Sequence, residues 1–117
     1  MIVEKVLYDF LNSKLNTEEN GNIPAFMEKP VNAPDTFVLI EKTGGGVDNC
    51  IEKATFAIQS ISTSLYKTAQ LNELVKATML KFTAETPVMH CKLNSDYNFT
   101  REDLKEYRYQ AVYNMNY

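Results

Sequence analysis

Histidine is all but missing from this 117-residue chain, where His90 stands alone. The common zinc sets combine several histidine and cysteine ligands, and no second histidine exists here to complete one. Cys91 follows directly, but adjacent strand residues point to opposite faces, so the two neither share a metal nor pair as nucleophile and base. Cysteine is also scarce: Cys50 and Cys91 lie far apart and form no CxxC. Without a cysteine framework, reduced and buried thiols are expected. No apolar run approaches the roughly 20 residues that span a membrane, and the first residues lack the basic start and apolar stretch of a secretion signal. The expectation is a chain made in the cytoplasm with no membrane role. The Asn98-Phe99-Thr100 sequon is then a chance match.

Chemistry-bearing clusters are equally thin. Glu18-Glu19 falls in a loop and Glu102-Asp103 in a turn, and nothing pairs two acids for general acid–base work. Gly44-Gly45-Gly46 is no phosphate-binding loop, because Lys42 precedes the glycines and no Lys-Ser/Thr follows. It is no dinucleotide fingerprint either, since a strand rather than a helix comes next. The sequence therefore predicts no enzyme, no cofactor and no metal site. A net charge of −3 argues against a general nucleic-acid binder, which needs cations to displace counterions from phosphates.

What is present is an ordinary globular composition, 44% hydrophobic and 23% charged, in a length suited to one domain over residues 1–117. Val3, Val6, Leu7, Phe10 and Leu11 form one helical stripe. A polar connection follows, Asn12 to Asn22, with the turn signal Asn20-Gly21. Ile23 to Glu28 is at most an edge strand, because Pro24 has no donor for a ladder. Thr36 to Thr43 reads as a strand covered on both faces at Phe37-Val38-Leu39-Ile40. The glycine run ends it, and a second strand runs from Cys50 to Ile61 with Ala54, Phe56 and Ile58 on one face. The pair predicts an antiparallel hairpin with a flexible glycine tip.

A second helix is expected from Thr63 to Phe82, capped by Ser62 or Thr63 and stopped before Pro87. Met89, Cys91 and Leu93 alternate in a further strand. From Glu106 the alternation is sharper, with Tyr107, Tyr109, Ala111, Tyr113, Met115 and Tyr117 on one face. Thr100 to Asp103 can start a helical turn between them. The order α-β-β-β-α-β-β predicts an α+β fold: a two-layer domain, mainly antiparallel, with two helices on one face of the sheet. The tyrosines either pack that face against the helices or make a stacking platform for single-stranded nucleic acid.

Several blocks carry a resemblance. They are Glu41-Lys42-Thr43-Gly44-Gly45-Gly46 with Asn49, and Ala57-Ile58-Gln59-Ser60 with Ser64-Leu65-Tyr66. The most specific is Asn94 to Phe99 followed by Tyr107 to Tyr113. From Val6 to Tyr117 the chain resembles small tail components of siphophages and prophages of Gram-positive bacteria. The element order is similar to that of the phage lambda tail terminator. The segment Asn12 to Asn22 is longer than that pattern.

The resemblance implies a structural subunit of the virion tail, made in the bacterial host. It would close into a ring, expected to be a hexamer, through a cyclic heterologous interface. It would cap the tail tube and join it to the head connector, so its partners would be tail-tube protein, connector protein and copies of itself. DNA would pass through the lumen without specific binding. The hairpin tip, Thr43, Gly44, Gly45, Gly46, Val47, Asp48 and Asn49, is the candidate assembly contact. Another head–tail adaptor, a tail-tube subunit, and a single-strand binding module stay open as alternatives.

Overall fold

The computed structural model describes residues 1–117, apart from the side chain of Leu104. Helix α1 spans Val3–Leu15. Val3, Leu7, Phe10, Leu11 and Leu15 recur at helical spacing and are all buried. The helix therefore runs one turn further than expected, into the supposed connection, because Leu15 continues the apolar stripe. Asn12 on that extra turn has a structural task. Its side-chain amide donates to the Ala25 carbonyl at 3.1 Å and its oxygen accepts from the Ala25 N–H at 3.0 Å. After a 3-10 turn at Glu18–Asn20, Gly21 takes φ +79°, the conformation for which the Asn-Gly signal was read.

Strand β1 is only Ala25–Phe26 and pairs parallel with β2, Phe37–Asp48. Strand β3, Ile51–Ser62, pairs antiparallel with β2. The expected hairpin is there, but its tip is not the glycine run. Gly44, Gly45 and Gly46 lie inside β2, opposite Thr55, Ala54 and Lys53. Their backbone groups serve the ladder although they have no side chains to pack. The turn falls at Asn49 and Cys50, with φ 50° and 66°. Two central residues at positive φ make the type I′ turn that fits the twist of a two-residue hairpin.

Helix α2, Leu65–Met79, is capped by Ser64, whose hydroxyl accepts from the Lys67 N–H at 3.2 Å. It stops short of the expected Phe82. The Lys81 N–H bonds back three residues to the Thr78 carbonyl at 3.1 Å, which tightens and ends the helix. A separate turn, α3 (Phe82–Glu85), then drops Phe82 into the core, where its ring meets Phe10 edge-on at 5.1 Å. Strand β4 is His90–Asn98 and β5 is Tyr107–Asn116, linked through a 3-10 turn at Glu102–Leu104.

The sheet order is β1-β2-β3-β5-β4. The fold is α+β, as the sequence predicts. The sheet is mixed, since β1 joins β2 in parallel while β2–β3, β3–β5 and β5–β4 are antiparallel. One buried cluster gathers α1, α2 and Phe82 with Val38, Ile40, Ala54, Phe56, Ile58, Ala111, Tyr113 and Met115. Each fully buried large side chain there contributes about 1.5–3 kcal/mol of apolar burial. No helix is long and apolar enough to cross a membrane.

Candidate assembly site

The predicted contact residues Thr43 to Asn49 all lie on the outer half of the β2–β3 hairpin. That half is an arm. Every residue from Glu41 to Lys53 is exposed, on both faces of the ribbon, and burial resumes at Ala54. The arm is held by backbone pairing within the hairpin, by pairing of Lys53 with Asn116 and of Glu52 with Tyr117 at the end of β5, and by a few weak contacts. Lys53 Nζ sits 3.1 Å from Asp48 Oδ2, an exposed pair worth under about 1 kcal/mol. The Thr43 hydroxyl donates to the Thr55 carbonyl at 3.4 Å. Val47 is 70% exposed and Ile51 40%, so the tip presents aliphatic carbon to solvent. Cys50 is exposed at the turn rather than buried, because the turn it helps form lies beyond the core.

The edge of the arm is open. β1 covers β2 only at Val38 and Leu39. Beyond them, among the described residues, no strand pairs with β2 on that side. A register irregularity falls between Lys42 and Gly44. At the opposite border of the sheet, β4 pairs only with β5, and it has its own irregularity between Leu93 and Ser95.

A polar row crosses the sheet from one border to the other. Gln59 Nε2 donates to Glu41 Oε2 at 3.3 Å and to Gln110 Oε1 at 3.0 Å. Gln59 Oε1 accepts from the Arg108 guanidinium at 2.6 Å. Gln110 in turn donates to the Tyr97 hydroxyl, and Arg108 pairs with Glu106. Burial, then the nearby charge of Arg101, hold Arg108 below its ordinary range, against the pull of Glu41. Gln59 is only 3% exposed, and its three partners are what make a buried amide tolerable there.

On the helix-facing side of β4, Asp96 accepts from Lys76 at 2.6 Å and from Asn72 at 2.7 Å. Hydrogen bonds to Asp96 and then to Glu73 hold the Lys76 ammonium above its ordinary range. A cavity of about 460 Å³ opens beside them, lined by Lys76, Met79, Leu80, Cys91, Leu93 and Tyr113 among others. Burial pushes the Cys91 thiol up to about 11 and the Tyr113 phenol up to about 12. His90 is exposed on β4 next to Cys91. No group of three His, Cys, Asp or Glu side chains gathers among the described residues.

The terminal tyrosines turn toward the helices. Tyr113 is buried, and Tyr107, Tyr109 and Tyr117 are half-buried. The exposed aromatic pair is a different one, Tyr97 and Phe99, with ring centres 6.0 Å apart. The sequence thus located the arm and read Ile51 to Lys53 as strand, but left those three residues out of the candidate contact and missed the open border of β4. The exposure of Ile51 was hidden because an apolar residue at a strand start looks like core. Compared with protein-family models and with curated proteins, the chain matches no family and no individual protein.

Proposed function

We propose that this chain is a structural subunit of a bacteriophage tail, of the tail-terminator or head–tail joining kind, that acts by closing into a ring. The observation that carries it is the arm. Every residue from Glu41 to Lys53 is exposed: Gly46 to Asp48 pair with Ile51 to Lys53 as a two-stranded tip, and Glu41 to Gly45 run along β3 as an edge. A monomer gains little from such a ribbon, whereas a neighbouring copy can bury it. The resemblance of the 41–49, 57–66 and 94–113 blocks to siphophage tail components supplies the setting.

In this proposal the domain is two-layered, with α1 and α2 on one face of the sheet and the polar row on the other. The ring stops tube polymerisation on one side and meets the head connector on the other. Its mechanism is geometric: a heterologous interface repeated around an axis closes at a fixed number. The polar-row side of the strands balances Glu41, Asp48 and Glu106 against Lys53, Lys92 and Arg108. DNA passing such a face would be neither gripped nor read.

The test is mass by light scattering over a wide concentration range, with negative-stain images, alone and after co-expression with tail-tube protein. Closed rings, or a complex capping short tubes, are expected. Replacing Gly46–Lys53 by a two-residue Asn-Gly turn should leave a folded monomer that no longer forms either. Long open tubes of this chain alone would mean a tail-tube subunit instead.

A further inference from the structure

Resting on that ring assignment, we propose that adjacent copies join by strand addition, the open edge of β2 on one copy pairing antiparallel with β4 on the next. Three features of the sheet point there.

The first is polarity. In the order β2-β3-β5-β4 every neighbouring pair is antiparallel, so β2 and β4 run in opposite directions. A cyclic rotation about an axis along the strands keeps each strand's direction. It therefore brings β4 of one copy against β2 of the next as an antiparallel pair, the more stable kind.

The second is height. Following partners across the sheet, Glu41 is level with Ala57, Val112 and Ser95. Lys42 is level with Phe56, Tyr113 and Leu93, Gly44 with Thr55, Asn114 and Lys92, Gly45 with Ala54, Met115 and Cys91, and Gly46 with Lys53, Asn116 and His90. The open part of β2 and the open strand β4 thus stand at the same height on opposite borders. Their irregularities, at Thr43 and Asn94, flank the Lys42–Leu93 level on either side. Rotation without rise brings like heights together and keeps side chains of one face on one face.

The third is complementarity. Open edges are usually guarded by bulges and charges, and both edges here carry them. At the level register Glu41 lies diagonal to Lys92, and Lys42 diagonal to Asp96, within reach of long side chains. The signs oppose in both cases, and because Lys76 and Asn72 already hold the Asp96 carboxylate, the Glu41–Lys92 pair carries the complementarity. The three glycines face Lys92, Cys91 and His90. Without side chains they leave room for those larger groups, and an added Cβ at Gly46 would meet nothing within 4 Å.

The decisive experiment uses the native Cys91. In a Cys50→Ser background, Gly45→Cys should form an intermolecular disulfide with Cys91 of the next copy under mild oxidation. Residues directly opposite on paired strands have Cα separations of about 4.5–5.5 Å, within disulfide range. The nearest obstacle to a side chain at Gly45 is the flexible end of Lys42, at 3.2 Å. Gly46→Cys, whose side chain points to the other face, should not cross-link. Covalent ladders from Gly45→Cys alone would support the pairing. Independently, Glu41→Lys should weaken assembly at least several-fold, and Glu41→Lys with Lys92→Glu should restore it.

Rings that form with no Gly45→Cys cross-link and no charge-swap rescue overturn the edge pairing and leave the ring assignment standing. Equal cross-linking from Gly45→Cys and Gly46→Cys also overturns it, as random collision. A chain that stays monomeric to millimolar concentration without cross-links overturns it too. Co-purification with tail-tube protein, which needs no engineered cysteine, then judges the ring assignment by itself.

Discussion

Strands β2 and β3 are each twelve residues long, and each lives in two environments. In the body, Phe37, Val38 and Ile40 face Ser60, Ile58 and their neighbours, and nearly everything is buried. In the arm, β2 continues along the same ladder from Lys42 to Asp48 with none of its own side chains buried. The backbone pairing is alike in both halves, so pairing is not what separates them. Packing is, and the comparison teaches that a strand's length can exceed what its own domain requires.

The sharpest way to press that difference is to truncate one apolar side chain to alanine in each half. Phe56→Ala, at a position 0% exposed, should cost about 3–5 kcal/mol. Val47→Ala, at the arm's tip, should stay within about 0.5 kcal/mol. Urea midpoints of the two variants measure both, and a large loss from Val47→Ala would show that the arm is packed after all.

Alkaline pH separates the halves in another way. Cys91, Tyr113 and Lys76 all hold their protons to higher pH in the folded state than in the unfolded chain. The unfolded chain therefore releases protons first, and stability, fully present at neutral pH, falls as pH rises above about 9. All three groups belong to the body. The intact chain and one with the arm shortened should show parallel declines in melting temperature between about pH 9 and 12. A decline confined to the intact chain would place the responsible groups in the arm.

A smaller effect sits at the turn. Cys50 holds φ 66°, a conformation that burdens an L-residue by about 1–2 kcal/mol. Cys50→Gly should therefore raise stability, by about 1 kcal/mol, and sharpen the Asn-Gly character of the turn. A thermal melt reads the gain, and a loss would mean that the thiol has a partner in solution.

Much of this architecture was legible in the residues. The α1 stripe, the alternation of Ala54, Phe56 and Ile58, and that of Ala111, Tyr113 and Met115 all follow from burial on one face. Other parts were not. Gly44 to Gly46 read as a stop because glycine is a poor strand former, yet a ribbon outside the core asks nothing of side chains. Asn12 read as loop because its partner, Ala25, is distant in sequence. The helix break at Leu80 and Lys81 carries no proline or glycine to announce it. The two open edges were invisible because they depend on strand order, and no local pattern says that β5 lies between β3 and β4.

That insertion has a consequence for synthesis. Of the sheet's five strands β5 is the last to leave the ribosome, yet it is the interior partner for both β3 and β4. Ile58 waits for Ala111, about fifty residues later, which at about 5–20 residues per second is several seconds of translation. Until then the nascent hairpin has its pairing edge and its phenylalanine unsheltered, and β4 has no partner at all. Completion of the sheet thus waits until β5 has emerged, so each copy's β3 is occupied from within the chain and the two outer edges are what it offers to others.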